Sequence, residues 1–186
     1  SFTRPYGVDI DSSGNIYVAD SYGYKIRKID TNGDVTTLAG SSSSGNVDGS
    51  GTDARFALPT SMSVDSSGNA YVADYNNHTI RKITSDGEVT TIAGTGSSGS
   101  SDGTGTSASF QNPDRATVDS SGNIYVSDTK NHTIRKLIAE PIDAIKTATQ
   151  QIANLRAQVG ANMTRLESEV SGVKMYDENL TNAISR

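Results

Sequence analysis

One ten-residue segment, repeated at a fixed interval, constrains this chain more than any other feature. It reads DSSGNIYVAD at 11–20, DSSGNAYVAD at 65–74 and DSSGNIYVSD at 119–128, so each copy begins 54 residues after the one before it. A long fixed period is typical of architectures that stack one structural unit many times. The repeat therefore predicts three copies of one unit.

Each copy predicts four short antiparallel strands joined by tight turns. In the first copy the apolar runs lie at 6–11, 15–20, 25–30 and 34–40, separated by turns that contain Gly. Odd and even positions of the second run are both apolar, so each sheet should be buried on both faces. Such a sheet needs a neighbour on each side, as the blades of a β-propeller have.

A phenylalanine and a proline also keep the 54-residue period, at the end of the polar loop that precedes the first strand. We expect the phenylalanine to fill the gap between adjacent blades and the proline to begin the innermost strand, where a missing N–H is tolerated. The residues are Phe2, Phe56 and Phe110, with Pro5, Pro59 and Pro113.

The repeated elements resemble the NHL repeat. The resemblance rests on DSSGNIYVAD, on NHTIRK and on GxVTTxAG, and it covers residues 1–138. It implies a mostly β fold of NHL-type propeller blades, at about 1–54, 55–108 and 109–138, in a family whose common form has six blades. It also implies a structural role for His78 and His132, whose place Tyr24 takes in the first copy.

The predicted ring is incomplete. The third copy passes into a different composition after its third strand, and three blades cannot close a propeller. The first copy begins at its phenylalanine. We expect this chain to be a fragment of a larger propeller, or to close by pairing with another chain.

Residues 139–186 differ in character from the repeats. Apolar residues recur at steps of three and four, which predicts one long amphipathic α-helix of coiled-coil type. Such a stripe needs another helix to cover it. The predicted helix-packing interface consists of Ile145, Ile152, Leu155, Val159, Leu166, Val170, Val173, Leu180 and Ile184.

The helix, at residues 141–186, resembles the C-terminal helical core of bacterial flagellin. LRAQVGANMTRLE at 155–167 and ENLTNAISR at 178–186 carry the resemblance. It implies a structural subunit, or a fragment of one, of a secreted, extracellular flagellar filament, with the propeller as its outward-facing variable domain. It implies as partners a missing N-terminal helical segment or other copies of the same protein, and further blades from a second segment or chain.

A second interpretation remains open: an extracellular ligand- or protein-binding propeller that a coiled coil oligomerises. For this interpretation the candidate propeller-face contacts lie on the innermost strands. They are Asp9, Ser63 and Thr117, at equivalent positions, and Asp114 and Arg115, where the third copy departs most from the first. We expect Asp114 and Arg115 to form a surface ion pair.

The residues do not favour an enzyme such as a propeller hydrolase or lyase. The chain has no Cys, and its two His residues fall in equivalent places of different copies, so we predict no catalytic residue, no metal site and no cofactor. Asp48 and Asp102, in loops that faintly resemble calcium loops, should brace their own loop backbones.

Charge and hydropathy limit the partners. The net charge of −5 disfavours nucleic acid, and no run of eighteen apolar residues predicts membrane insertion. The repeated IRK triplets put Arg and Lys into every third strand. We expect these side chains to be solvated rather than to form a ring that binds polyanions.

Overall fold

The computed structural model describes residues 1–138 and 141–184. The chain divides into two compact units, Ser1–Ala139 and Glu140–Arg186. The described part of the first unit contains three separate antiparallel sheets, one for each copy of the repeat, and the second unit contains one helix.

The sheets follow the predicted pattern of four, four and three strands, with one addition. Blade 1 contains β1 (Pro5–Ile10), β2 (Ile16–Asp20), β3 (Lys25–Ile29) and β4 (Val35–Ala39), in that order across the sheet. Blade 2 contains β5 (Gly49–Ser50), β6 (Pro59–Val64), β7 (Ala70–Asp74), β8 (Thr79–Ile83) and β9 (Glu88–Ala93), in the order β5-β9-β8-β7-β6. Blade 3 contains β10 (Pro113–Val118), β11 (Ile124–Asp128) and β12 (Thr133–Leu137).

The addition, β5, lies in the polar loop that precedes the innermost strand of blade 2. Its two residues pair with β9. This part of the loop therefore belongs to the sheet of blade 2, ahead of the expected blade boundary at residue 54.

Hydrogen bonds in the turn between the first two strands explain why the ten-residue segment is nearly identical in the three copies. One carboxylate oxygen of Asp11 accepts the backbone N–H groups of Ser13 and Asn15, each at 2.9 Å. The other oxygen accepts the side-chain amide of Asn15 at 2.8 Å and the hydroxyl of Tyr17 at 3.1 Å. Asp65 and Asp119 make the same set of bonds in the other blades.

The two His residues lie at a turn position whose backbone is in the left-handed conformation. Tyr24, His78 and His132 have φ of 53°, 56° and 55°, a conformation in which His is enriched. His78 Nδ1 also accepts the backbone N–H of Asn112 at 3.1 Å, across to the next blade. The expected structural role is confirmed for His78.

The apolar core lies between the blades. Phe56 packs in one cluster with Tyr17 and Ile26 of blade 1 and with Val72 of blade 2. Phe110 packs in a second cluster, between blades 2 and 3. Both rings are fully buried, so their predicted role between blades is confirmed.

The helix, α1 (Pro141–Ile184), has 44 residues and a length of about 66 Å at 1.5 Å per residue. Side chains are described for residues 152 and 155–175, and all of them are exposed. The exposed stripe includes Ile152, Leu155, Val159, Met163, Leu166, Val170 and Val173. The side chains of Ile145, Leu180 and Ile184 lie outside the described residues. No helix in the described part of the chain combines the length and the hydropathy needed to cross a membrane.

The inter-blade position of the phenylalanines gives a stability prediction. Phe56→Ala and Phe110→Ala should each lower the free energy of unfolding by about 3–5 kcal/mol, because each leaves a cavity in a packed core. Phe2→Ala is the matched control, since the Phe2 ring is 37% exposed. Urea denaturation of the three variants checks this, and an equal loss in all three would contradict it.

Candidate functional site

The arginine of the repeated IRK triplet is not solvated. The Arg81 side chain is fully buried in blade 2 and donates to Asp74 at 3.1 Å and to Asp48 at 2.6 Å. It also donates to the carbonyl oxygens of Val47 and Arg55 and lies 5.1 Å from the centre of the Phe56 ring. The expectation of a solvated strand is therefore wrong for Arg81, because this guanidinium joins the strand to the loop before it.

The third copy uses its arginine in a similar way. Arg135 pairs with Asp128 and Asp102 and lies 5.1 Å from the Phe110 ring. The lysine that follows each arginine lies over a tyrosine ring of the same blade, at 5.3 to 6.0 Å. These internal contacts leave the triplets poorly suited to bind polyanions.

The Asp74 carboxylate lies at the centre of this arrangement. It accepts the backbone N–H of Ala57 at 2.8 Å, the side-chain amide of Asn77 at 2.7 Å and the Arg81 guanidinium. Burial raises the pKa of Asp74 to about 6, against these hydrogen bonds and the Arg81 charge, which lower it. Asp74 thus fixes the chain where it turns into the innermost strand of blade 2.

Asp48 does more than brace its own loop. Besides Arg81, its carboxylate accepts the backbone N–H of Thr91 and the hydroxyl of Thr91, each at 3.0 Å. Burial raises the pKa of Asp48, but these bonds and the Arg81 charge lower it overall. Asp102 likewise pairs with Arg135, so the expectation for these two loops is wrong in its choice of partner. Among residues 1–138 and the described part of α1, no group of three or more His, Asp or Glu could hold a metal ion.

Two of the candidate face contacts link neighbouring blades. Asp9 accepts the backbone N–H of Val64 at 2.8 Å, from blade 1 to blade 2. Ser63 accepts the backbone N–H of Val118 at 3.3 Å, from blade 2 to blade 3. Thr117, the next residue in this series, is exposed at the edge of blade 3, and the structure of residues 1–138 gives its hydroxyl no hydrogen bond. Asp9 and Ser63 therefore tie the innermost strands of neighbouring blades together.

A cavity of about 270 Å³ lies where the innermost strands begin. We call it the tyrosine pocket. Its charged groups are Arg4, whose guanidinium lies 4.8 Å from the centre of the Tyr22 ring, and Asp114. The pocket is lined by Arg4, Tyr6, Ser21, Tyr22, Leu58, Thr60, Tyr75 and Asp114.

The lining of the tyrosine pocket contains a strained residue. Leu58 has φ of 70°, in the left-handed region, and it precedes Pro59. A bulky residue rarely adopts this conformation, which costs about 1–3 kcal/mol. The strain is held by the bond from Ala57 to Asp74 and by the Leu58 carbonyl, which accepts the backbone N–H of Tyr75 at 3.2 Å. Such strain is often found at functional sites.

The pocket residues are those in which the three copies differ. Arg4 is replaced by Leu58 and Asn112 in the later copies, and Tyr6 is replaced by Thr60 and Asp114. Ser21 and Tyr22 likewise have no identical counterparts. Most residues that hold the blades together are repeated, with the series Asp9, Ser63 and Thr117 as an exception. Divergence between copies inside a repeated framework is therefore a sequence signal that includes this site.

The structure brings one predicted face residue into the pocket and leaves another outside its lining. Asp114 lines the pocket, whereas Arg115 is exposed on the same strand. Within residues 1–138 the two form no ion pair, so the expected surface ion pair is wrong. Three of the eight lining residues are tyrosines, and none of them was predicted as a pocket residue.

Comparisons with known proteins agree with this architecture. A family model described as "Teneurin NHL domain" matches residues 41–173, more than half of the chain. NHL repeat-containing protein 2 of Bos taurus is 33% identical over 154 residues, which cover 75% of this chain and 21% of that protein.

Two solved structures from Bacteroides thetaiotaomicron are similar in fold. An auxiliary nutrient binding protein has a TM-score of 0.62 and 27% identity, covering 69% of this chain and 36% of that one. A protein of unknown function has a TM-score of 0.65 and 31% identity, covering 71% and 34%. The chain thus spans about a fifth of the curated relative and a third of each solved structure.

The buried Arg81 gives a prediction with its own control. Arg81→Met should lower the free energy of unfolding by about 3–5 kcal/mol at pH 8, because it leaves the Asp74 carboxylate buried without its partner. Arg27→Met, in blade 1, should cost much less, since the Arg27 guanidinium donates to the exposed carbonyl oxygens of Ser1 and Thr36 and to no carboxylate among residues 1–138. Denaturant titrations of both variants measure the difference.

The same variant should show a characteristic pH dependence. The pKa of Asp74 is raised from 3.8 to about 6 on folding, so its stabilising contribution is complete below pH 3.8 and is lost as pH rises through 6. Protonated Asp74 no longer needs a cation, so the cost of Arg81→Met should be smaller at pH 4.5 than at pH 8. An equal cost at both pH values would contradict this role of Asp74.

Proposed function

The chain belongs to the Teneurin NHL domain family, and on that basis we propose that it is a non-catalytic binding module whose contact site is the tyrosine pocket. The observation that carries the proposal is the convergence of three tyrosine rings, one guanidinium and one carboxylate on a pocket with a strained backbone. Tyrosine and arginine are enriched among residues that dominate binding energy, because they combine large contact areas with polar groups. The name of the auxiliary nutrient binding protein agrees with this class of function.

The chemistry of the pocket favours a small polar ligand that contains a ring. Its volume of about 270 Å³ lies just below the range of about 300–1,000 Å³ that is usual for small-molecule sites, which favours a small ligand. Phenol rings supply flat apolar faces, and their hydroxyls, Thr60 and Asp114 supply hydrogen-bonding groups. Neutral monosaccharides and disaccharides have this combination of a ring and hydroxyl groups.

A non-catalytic role agrees with the state of the candidate groups. The His78 ring is engaged by the backbone of Asn112, and the buried carboxylates of Asp74 and Asp128 are paired with arginines. In the described residues, no cluster of metal-binding side chains is available to activate water.

The ligand proposal can be tested by thermal denaturation with a panel of neutral monosaccharides and disaccharides. A ligand at 100 times its Kd should stabilise the fold by about 2.7 kcal/mol, a rise in Tm of several degrees. Tyr75→Ala should weaken binding at least tenfold, because it removes one wall of the pocket. Tyr125→Ala is the control, since Tyr125 lies in blade 3 outside the pocket lining.

Two results would contradict this use of the pocket. One is a panel in which no compound raises Tm. The other is a stabilising compound whose Kd, measured by calorimetry, is unchanged by Tyr75→Ala.

We also propose a second function, as a subunit of a secreted flagellin-like filament. The observation that favours it is the exposed apolar stripe of α1, together with the flagellin-like motifs at 155–167 and 178–186. An isolated helix obtains most of its stability from packing, so seven exposed apolar side chains on one face favour a helical partner. That partner would be an N-terminal helical segment or another copy of the protein, packed against α1 as in a coiled coil.

The helix proposal predicts that Leu155→Asp with Leu166→Asp reduces helix content and weakens association. Both leucines lie on the stripe, and a charge there cannot be buried against another helix without a large cost. Ala161→Asp with Ser168→Asp is the matched control, because these exposed residues lie on the opposite face at 100° per residue. Circular dichroism at 222 nm over a range of protein concentrations measures helicity. Identical melting of α1 in both double variants would contradict the proposal.

A further inference from the structure

The two junctions between blades use the same residue positions. At each junction the earlier blade contributes a tyrosine and an isoleucine, and the later blade contributes a phenylalanine and a valine. We call the surface that an earlier blade contributes its forward face, and the surface that a later blade contributes its rear face. The forward face of blade 1 contains Tyr17 and Ile26, that of blade 2 contains Tyr71 and Ile80, and the rear faces contain Phe56 and Val72, then Phe110 and Val126.

The forward face of blade 3 is uncovered in the described structure. Ile134 is 72% exposed, whereas Ile26 and Ile80, at the same position, are fully buried. Tyr125 is 39% exposed, whereas Tyr17 is 1% exposed. Exposure along β11 alternates for the same reason, while every residue of β7 is buried.

The rear face of blade 1 is uncovered as well. Val8 is 68% exposed, whereas Met62, its counterpart in blade 2, is 6% exposed. Val35 is exposed and Val89 is fully buried. Phe2 also belongs to this face. Among the described blade residues there is therefore one uncovered forward face and one uncovered rear face. They have the composition of the two halves of the junction that the chain already forms twice.

We propose that the forward face of blade 3 binds the rear face of blade 1 of a second copy of this chain, and that the reciprocal contact closes a ring of two chains. Two copies supply six blades, which lies within the four to eight that propellers use, whereas one copy supplies three and three copies supply nine. A head-to-tail contact that closes on itself gives a finite assembly rather than a fibre.

The innermost strands supply a second observation, independent of the apolar faces. The side chains of Asp9 and Ser63 each accept a backbone N–H of the next blade, that of Val64 and that of Val118. Thr117 is the third residue in this series of acceptors, and it is exposed. The corresponding N–H donors are those of Val64 and Val118, and the equivalent donor in blade 1 is the N–H of Ile10. In the single chain that N–H is bound by the carboxylate of Asp9, at 2.9 Å. The new junction pairs Thr117 with Ile10 of the second copy.

The proposed junction is smaller than those within the chain. At the first junction, β4 of blade 1 contributes Ala39 to the buried cluster, and blade 3 has no fourth strand among its described residues. Ser61 also accepts the N–H of Ala116 at 3.1 Å, and Arg115 at the equivalent position has no acceptor to offer. Association should therefore depend on protein concentration, with two junctions in one ring reinforcing each other.

The test is sedimentation equilibrium of the full 186-residue chain carrying Leu155→Asp and Leu166→Asp, so that the helix stripe does not contribute. The expected mass at high concentration is twice the 19.5 kDa of one chain. Adding Ile134→Asp or Val8→Asp should convert the dimer to a monomer without loss of fold, because both side chains are exposed in the single chain. Val47→Asp is the control, since Val47 is an exposed apolar residue in the loop before blade 2, where its backbone pairs with Arg55 and its carbonyl oxygen accepts from Arg81.

Mixing the two interface variants tests the head-to-tail geometry. The Ile134→Asp chain keeps an intact rear face and the Val8→Asp chain keeps an intact forward face, so the mixture should form a dimer through one junction, more weakly than the closed ring. Loss of the dimer by only one of the two substitutions would mean that like faces pair, and would overturn the proposal. A mass above two chains would overturn ring closure, and a monomer at all concentrations would assign the open faces to other blades of a longer polypeptide.

Discussion

The carboxylate of Asp74 connects the segments of blade 2 on which the rest of the structure depends. One oxygen holds the backbone N–H of Ala57, and the other holds the Arg81 guanidinium and the Asn77 amide. Through Arg81 the same group reaches Asp48, in the loop that precedes the blade. Burial of a charge is costly, and it is tolerated here because each oxygen has partners and Arg81 is held by two further carbonyl oxygens. The bond between Ala57 and Asp74 also holds the backbone of Leu58, which lines the tyrosine pocket. The geometry of the pocket therefore depends on contacts in the interior of the blade.

Much of the fold could be predicted because the same local interactions are encoded in all three copies of the repeat. The turn aspartates, the phenylalanines between blades and the turn His residues all keep the 54-residue period, and each acts within a few residues of its own strand or between neighbouring blades. The Arg81 network could not be predicted from strand periodicity, since Asp48 lies 33 residues before Arg81 and the contact depends on how the loop folds back. A signal was present, because an aspartate precedes each arginine by seven residues, as Asp20 and Arg27, Asp74 and Arg81, and Asp128 and Arg135. It is a partial signal, since Arg27 donates to backbone carbonyl oxygens and only the later two copies form the pair.

The tyrosine pocket was hard to predict for the opposite reason. A repeat directs attention to what is the same in every copy, and those residues form the framework. Tyr6, Thr60 and Asp114 occupy one position of the repeat and are chemically different. Periodicity therefore does not identify them as candidate site residues. Divergence alone does not identify a position that faces a ligand, because Asp9 and Ser63 also differ between copies and each binds the backbone of the next blade. Of the predicted face residues, only Asp114 diverges in this way and also lines the pocket.

The open blade faces and the tyrosine pocket are connected through the innermost strands. The pocket is lined by the first residues of β1, β6 and β10, and these strands are tied to one another by Asp9 and Ser63. In a ring of two chains, Thr117 would continue this series into the second copy, so the strands that shape each pocket would be supported on both sides. A two-fold ring would also carry two identical pockets about one axis. A ligand with two matching groups could then bind both pockets, with a gain in apparent affinity that needs no new contact within either pocket.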